Sequence, residues 1–149
     1  MLAVTGYSSK IVQELIPLLP ADEEIIRIGE HAAPELAERY VLCAGLLYPK
    51  TLEEQSETEI HDILWANCVE PMQICDLMLQ ANSKARICVI GSEAAFTWSF
   101  NGAYAASKVA IHRYVETKKL KPDQQLICIA PSIIQDCGMT TRREDIENL

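Results

Sequence analysis

Apolar residues along this chain form short unbroken runs that alternate with stripes at helical spacing. Leu2-Ala3-Val4 is the first run, and it ends in the turn Thr5-Gly6-Tyr7-Ser8-Ser9. Ser8 or Ser9 is placed to cap a helix whose apolar positions Ile11, Val12, Leu15, Ile16 and Leu19 keep helical spacing until Pro20. Ile25–Ile28 reads as a second strand. Pro34 then opens at most two helical turns before a third strand, Tyr40–Cys43, which runs into Ala44-Gly45. Ser56-Glu57-Thr58-Glu59 is a capping box, and it predicts a long helix through Ile60, Ile63, Leu64, Asn67, Ile74, Leu77 and Met78, ending near Asn82. Pro71 lies inside that helix and predicts a kink or one loosened backbone bond. Arg86–Ile90 is a fourth strand, the stretch from Asn101 to about Lys119 a further helix, and Gln125–Ala130 a fifth strand stopped by Pro131. Thr140–Leu149 is charged, with room for one short helix.

Strands that alternate with helices, and that lack polar residues at every second position, predict a parallel sheet covered on both faces. Right-handed crossovers make this an open, doubly wound α/β fold of three layers, with ligand groups gathered beyond the strand C-termini. Gly6, Gly45, Ser92 and Pro131 each lie just past a strand. No repeat or second domain is apparent, so residues 1–149 read as one domain.

Composition narrows the function classes. Of the 149 residues, 49% are apolar and 23% charged, as in an ordinary globular protein. The net charge of −8 argues against nucleic acid or an anionic membrane as the main partner. No apolar run is long enough to span a bilayer, and no signal peptide is apparent, so a cytoplasmic protein is expected. Cys43, Cys68, Cys75, Cys88, Cys128 and Cys137 include no C-x-x-C pair and read as buried thiols. His31, His61 and His112 are scattered without ligand spacing, and no metal site is expected.

The chemistry sits between Ser92 and Lys108. Tyr104 and Lys108 are four apart on a helix, so phenol and ammonium can meet at one point. A cation beside a phenol pulls its pKa down from about 10 and makes it a usable acid or base near neutrality. By themselves, Ser92 could be a simple cap and Asn67 a polar plug at a helix irregularity near Pro71.

Taken in order, these residues resemble the short-chain dehydrogenase/reductase family over most of the chain. Thr5-Gly6-Tyr7-Ser8-Ser9-Lys10-Ile11 resembles the family's Thr-Gly-x-x-x-Gly-x-Gly turn, and Leu42-Cys43-Ala44-Gly45 stands where the family has Asn-Asn-Ala-Gly. Asn67 matches the helix asparagine, Ser92 the catalytic serine, and Tyr104-Ala-Ala-Ser-Lys108 the Tyr-x-x-x-Lys motif. Pro131-Ser-Ile-Ile134-Gln-Asp136 resembles the stretch that closes over the nicotinamide. The resemblance implies an oxidoreductase moving hydride between NAD or NADP and a carbonyl or alcohol substrate. Tyr104 would be the proton donor or acceptor. Lys108 would lower the phenol pKa and hold the nicotinamide ribose, Ser92 would bind the substrate oxygen, and Asn67 would hold a water in a proton relay. It also implies a homodimer or homotetramer. Leu64, Cys68, Met72, Cys75 and Met78 on one helix, with Val109, Ile111 and Val115 on the other, could supply the contact.

The chain departs from the family pattern in three places. Lys10 and Val12 occupy the positions of the second and third glycines, where a side chain pushes a dinucleotide outward. Lys10 could offset this by meeting phosphate, helped by Ser8 and Ser9, or it is simply a solvated first-turn lysine. Glu30 could bind ribose hydroxyls, which leaves NAD against NADP open. The family's extra strand and helix before Ala-Gly, and its closing segments, are not found; without the two edge strands the expected order is 2-1-3-4-5. These departures favour an alternative reading, a non-catalytic nucleotide-sensing or interaction module. A flavodoxin-like flavin or phosphoacceptor domain fits less well, because Thr5-Gly6 supplies no acidic cluster.

Overall fold

The computed structural model describes residues 1–29, 37–134 and 139. Its elements in chain order are β1 (Leu2–Thr5), α1 (Lys10–Leu15), β2 (Ile25–Arg27), β3 (Arg39–Leu42), α2 (Glu57–Leu64), a π-helical segment (Trp65–Val69), α3 (Glu70–Ala81), β4 (Arg86–Ile90), α4 (Gly102–Thr117) and β5 (Gln125–Ile129). The five strands form one sheet in the order β2-β1-β3-β4-β5. Every neighbouring pair is parallel, with Leu2 opposite both Ile25 and Arg39, Arg39 opposite Arg86, and Arg86 opposite Gln125. The short stretch expected after Pro34 and the one from Thr140 onward lie outside the described residues, as do Glu30, His31 and Cys137. No helix among the described residues is long and apolar enough to cross a membrane.

Two cores of unequal size hold the layers. Alternate strand residues Ala3, Tyr40, Leu42, Ile87, Val89 and Leu126 face Cys75, Met78, Leu79 and Ile111 from α3 and α4. On the other face Leu2, Val4 and Cys43 pack on Val12 of α1. Full burial of a side chain such as Ile111 or Met78 stabilises by about 1.5–3 kcal/mol, so α4 is anchored firmly against the sheet. At the strand N-terminal ends, Gln124 donates to the carbonyls of Leu79 and Asn82 (2.6 and 2.8 Å) and ties α3 to β5. The face of β5 turned away from α4 is barely covered: Ile127 and Ile129 are both about half exposed. The five cysteines among the described residues are free thiols.

Two helices are interrupted at prolines, the first earlier than expected and the second where Pro71 predicts a loosened bond. The first helix does not continue to Leu19. It ends at Leu15 and tightens into a 3₁₀ turn, Ile16–Leu18, because Pro17 has no N–H to donate to the preceding turn. The long second helix is regular only in its two halves. Pro71 cannot donate to the carbonyl of Asn67, four residues earlier, and the chain widens into the π segment, where the N–H of Glu70 reaches back five residues to Trp65. The capping box at Ser56 forms as expected, with Ser56 and Glu59 each accepting the other's backbone N–H.

The apolar residues expected at a subunit contact need correction as well. Cys68, Cys75, Met78 and Ile111 are buried within the chain's own core, whereas Leu64, Trp65, Leu77 and Val109 are the exposed apolar side chains of these helices.

Candidate functional site

The C-terminal ends of β1, β3, β4 and β5 open into one cleft of about 790 Å³. Its lining includes Gly6, Ser8, Ser9, Lys10, Ile11, Ala44, Gly45, Ser92, Tyr104, Lys108, Pro131 and Ile134, which are all the described catalytic and cofactor candidates of the sequence except Asn67. Asn67 stands directly behind the wall. A Cβ added to Gly45 would lie 3.0 Å from Asn67 Oδ1 and 3.8 Å from Lys108 Nζ, so Gly45 stands between Asn67 and the cleft that Lys108 lines.

The floor at the β1 end is built by Thr5 and Gly6. Thr5 Oγ1 accepts the N–H groups of Cys43 (3.0 Å) and Ala44 (3.1 Å), pinning the exit of β3 to that of β1. Gly6 has φ +61°, and a Cβ there would lie 2.7 Å from the backbone of Cys43 and Ala44. Only glycine allows both the left-handed backbone and that approach. Ser9 caps α1 by accepting the N–H of Val12, and its hydroxyl lies 3.1 Å from Cys43 Sγ. Burial raises the Cys43 thiol pKa, so the group stays protonated. Lys10 points along the helix surface to Glu14 at 2.8 Å, an exposed pair of the kind that contributes little to stability. Val12, at the third-glycine position, is fully buried in the smaller core.

At the centre, α4 delivers Tyr104 and Lys108 from one face. Asn101, wholly buried, caps the helix by accepting the N–H of Tyr104 itself (2.8 Å). Its amide donates to the carbonyls of Tyr48 (3.1 Å) and Lys50 (3.0 Å), which fastens the loop after β3 to the start of α4. Lys108 is 4% exposed, donates to the carbonyl of Ile90 at 3.2 Å, and holds its Nζ 5.5 Å from the centre of the Tyr104 ring. Burial lowers the Lys108 pKa from 10.5 to about 8. The lysine is thus a desolvated cation aimed at the tyrosine from beneath.

Ser92 follows β4 and caps a short 3₁₀ turn, accepting the N–H of Ala94 at 3.2 Å. That bond occupies a lone pair of Oγ and leaves the hydroxyl hydrogen for another acceptor. Asn67 pairs its side-chain amide with the backbone of Leu46, accepting its N–H (2.9 Å) and donating to its carbonyl (2.7 Å). It holds the loop after Gly45 like an adjacent strand, while Pro71 leaves its own backbone carbonyl without an α-helical donor.

Three residues near the site are not assigned to it from the sequence. Asn101 carried a readable signal, an asparagine immediately before a helix. Arg27, at the end of β2, lays its guanidinium 3.5 Å over the ring of Tyr7, beside the Gly6 turn. His112, one helical turn beyond Lys108, is buried beneath the Ser92 turn. Neither of the last two contacts could be read locally, because each joins separate elements.

The sequence matches the short chain dehydrogenase family over residues 35–147. No curated protein matches it. Among solved structures, a short-chain dehydrogenase/reductase from Vibrio parahaemolyticus superposes with TM-score 0.76 at 17% identity, covering 95% of this chain and 89% of that one. The ligand-free aldohexose dehydrogenase of Thermoplasma acidophilum gives TM-score 0.75 at 16% identity, covering 99% and 71%. An alcohol dehydrogenase from Thermococcus sibiricus, complexed with 5-hydroxy-NADP, gives 0.66 at 21%, covering 89% and 76%. The parallel five-stranded sheet and its order are those of this Rossmann-like fold. The chain belongs to the short-chain dehydrogenase family.

Proposed function

We propose that residues 1–149 form one Rossmann-like unit that binds a nicotinamide dinucleotide in this cleft and interconverts a carbonyl compound and its alcohol. The observation that carries the reading is the buried Lys108 ammonium beneath the Tyr104 ring, in the same cleft as the Ser92 hydroxyl. The cleft fits the cofactor. Its volume lies in the range of small-molecule sites, and the missing Cβ atoms of Gly6 and Gly45 leave room at two strand ends. Gly6, Ser8, Ala44, Gly45, Lys108, Pro131 and Ile134 would hold the dinucleotide, with Ser9, Lys10 and Ile11 at its edge. Between the two cofactors, the Arg27 guanidinium held on Tyr7 favours NADP(H), because an arginine at this strand end suits a 2′-phosphate.

The bound nicotinamide supplies or takes up the hydride. Tyr104 gives its phenolic proton to the substrate oxygen in reduction and takes it back in oxidation. Lys108 favours the phenolate that is left behind, and a desolvated cation does this more strongly than a hydrated one. Ser92 donates its free hydroxyl hydrogen to the same oxygen as charge develops. Asn67 fixes Leu46 with its side chain, so a relay water would rest on its backbone carbonyl. Leu46, Leu47, Trp98 and Phe100 line the cleft, with Glu93 at its rim, which suits an uncharged, apolar carbonyl compound. The exposed Leu64, Trp65, Leu77 and Val109 suit a homo-oligomer contact.

Titration of NADPH and NADH against the fluorescence of Trp65 and Trp98 tests the cofactor half, with tighter NADPH binding expected. A carbonyl panel with wild type and Tyr104→Phe tests the rest. The substitution should lower turnover by about 10²-fold or more. Turnover that survives it removes Tyr104 from this role. The alternative, a non-catalytic nucleotide-sensing module, draws on the engagement of Lys10 with Glu14 at the altered glycine turn. It requires dinucleotide binding with no turnover of any carbonyl.

A further inference from the structure

The exit of β4 meets α4 at two consecutive residues. Ile90 offers its carbonyl to Lys108, and Gly91 lies against His112. The next residue is Ser92. His112 is therefore placed where the serine turn and the tyrosine helix come closest, and its contacts are specific. A Cβ on Gly91 would lie 2.2 Å from His112 Nε2 and 2.9 Å from its Cε1, so only glycine accommodates the ring. Nε2 is 3.5 Å from Cys128 Sγ on β5. Phe96, at the far end of the turn, meets the imidazole edge-on with centroids 4.8 Å apart. The imidazole thus touches both ends of the segment carrying Ser92, together with the strand behind it.

We infer that His112 is a positioning residue, a wedge between α4 and the turn 91–96 that sets the separation of the Ser92 hydroxyl from Tyr104. This rests on the reading of Ser92, Tyr104 and Lys108 as the reacting groups. The wedge works as a neutral ring. Burial keeps the Cys128 thiol protonated with its pKa raised to about 11, so its hydrogen can be given to an unprotonated Nε2. The charged groups acting on the ring are Lys108 and Glu116 of its own helix. Burial first, and then the Lys108 cation, hold the imidazole below its ordinary pKa, against a smaller opposing pull from Glu116. Protonation would cost the thiol contact and place a second cation beside Lys108. A misplacement of the serine by a fraction of an ångström lowers turnover without touching the cofactor end of the cleft.

The test uses His112→Ala, His112→Gln and Gly91→Ala in the full chain. His112→Ala should lower kcat by roughly ten- to hundredfold while the Kd for NADPH stays within about twofold. Gly91→Ala should do the same by driving the ring aside. The Gly91→Ala/His112→Ala double variant, in which the added methyl no longer meets the ring and only Cys128 Sγ at 2.8 Å still has to give, should recover part of the Gly91→Ala loss. Wild type should lose kcat as the ring protonates at acid pH, and His112→Gln should not show that limb. Hydrogen exchange gives a readout independent of turnover. The Gly91 and Glu93 amides, bonded to the carbonyls of Ile129 (2.7 Å) and Pro131 (2.9 Å), should exchange faster in His112→Ala. Wild-type kcat and wild-type exchange in His112→Ala overturn the inference, as do single-variant losses that merely add. If wild type turns over no carbonyl, the oxidoreductase reading fails, and the exchange rates alone still decide whether His112 holds the turn.

Discussion

The substitution Lys108→Met removes a cation from a position 4% exposed and leaves an apolar chain of similar length. The lysine's pKa falls from 10.5 to about 8 on burial, and each tenfold change in a protonation equilibrium corresponds to about 1.4 kcal/mol. Keeping the side chain charged at neutral pH therefore costs the ligand-free fold about 3 kcal/mol. Methionine removes that cost but leaves the Ile90 carbonyl without its ammonium donor, which takes back about 1 kcal/mol. The net expectation is a stabilisation of about 2 kcal/mol, or about 6 °C in Tm for a chain of this size. The sign with pH is fixed by linkage. Between about pH 8 and 10.5 the unfolded chain holds the lysine proton more tightly than the folded one, so wild-type stability rises relative to the variant across that window. The gap should be full below about pH 8, close across the window, and reverse above 10.5 to about 1 kcal/mol in favour of wild type, since only the lost bond to Ile90 then remains. Melting curves of both ligand-free proteins at neutral and strongly alkaline pH measure it. A variant that melts below wild type at neutral pH, or a gap that does not close with pH, refutes the picture of a buried, charged lysine. NADPH should raise the Tm of wild type and not that of the variant.

Two further substitutions test the frame of the cleft. Gly6→Ala puts a Cβ 2.7 Å from the backbone of Cys43 and Ala44 at φ +61°, and should cost at least about 2 kcal/mol in urea unfolding; wild-type stability would show that this turn is not fixed by close approach. Asn67→Leu strips both backbone groups of Leu46 of their partners, and should cost about 1–3 kcal/mol and weaken NADPH binding, whereas an unchanged melt would mean that water replaces the amide without loss.

Much of this architecture is legible in the sequence because it rests on local patterns. Apolar runs without alternation gave the strands to within a residue or two, and their ends gave most of the cleft. What escaped is partly local and partly a matter of contacts between distant parts of the chain. Pro17 ends α1 early although the apolar spacing continues past it. The capacity of Lys10 to meet phosphate is answered by Glu14 only once the helix is built. Cys75, Met78 and Ile111 show the same apolar signal whether they face a partner subunit or the core, and they face the core. Asn67 stands out in the sequence as a candidate, yet its engagement with Leu46 follows from the loop lying alongside the helix. His112 looked like an isolated histidine because its neighbours Gly91, Phe96 and Cys128 come from other elements.

The π segment has a geometrical consequence for the whole of residues 57–81. The buried positions Ile63, Asn67, Pro71, Cys75 and Leu79 recur every four residues. On an ideal α-helix a step of four overshoots one full rotation by about 40°, so this column would wander roughly 160° around the cylinder and leave the sheet. One wide turn absorbs an extra residue, about 100° of rotation, and brings most of the column back onto one side. The bulge acts as a phase corrector: it lets a polar side chain stand in the buried row beside Gly45 while the helix on either side keeps its grip on the core.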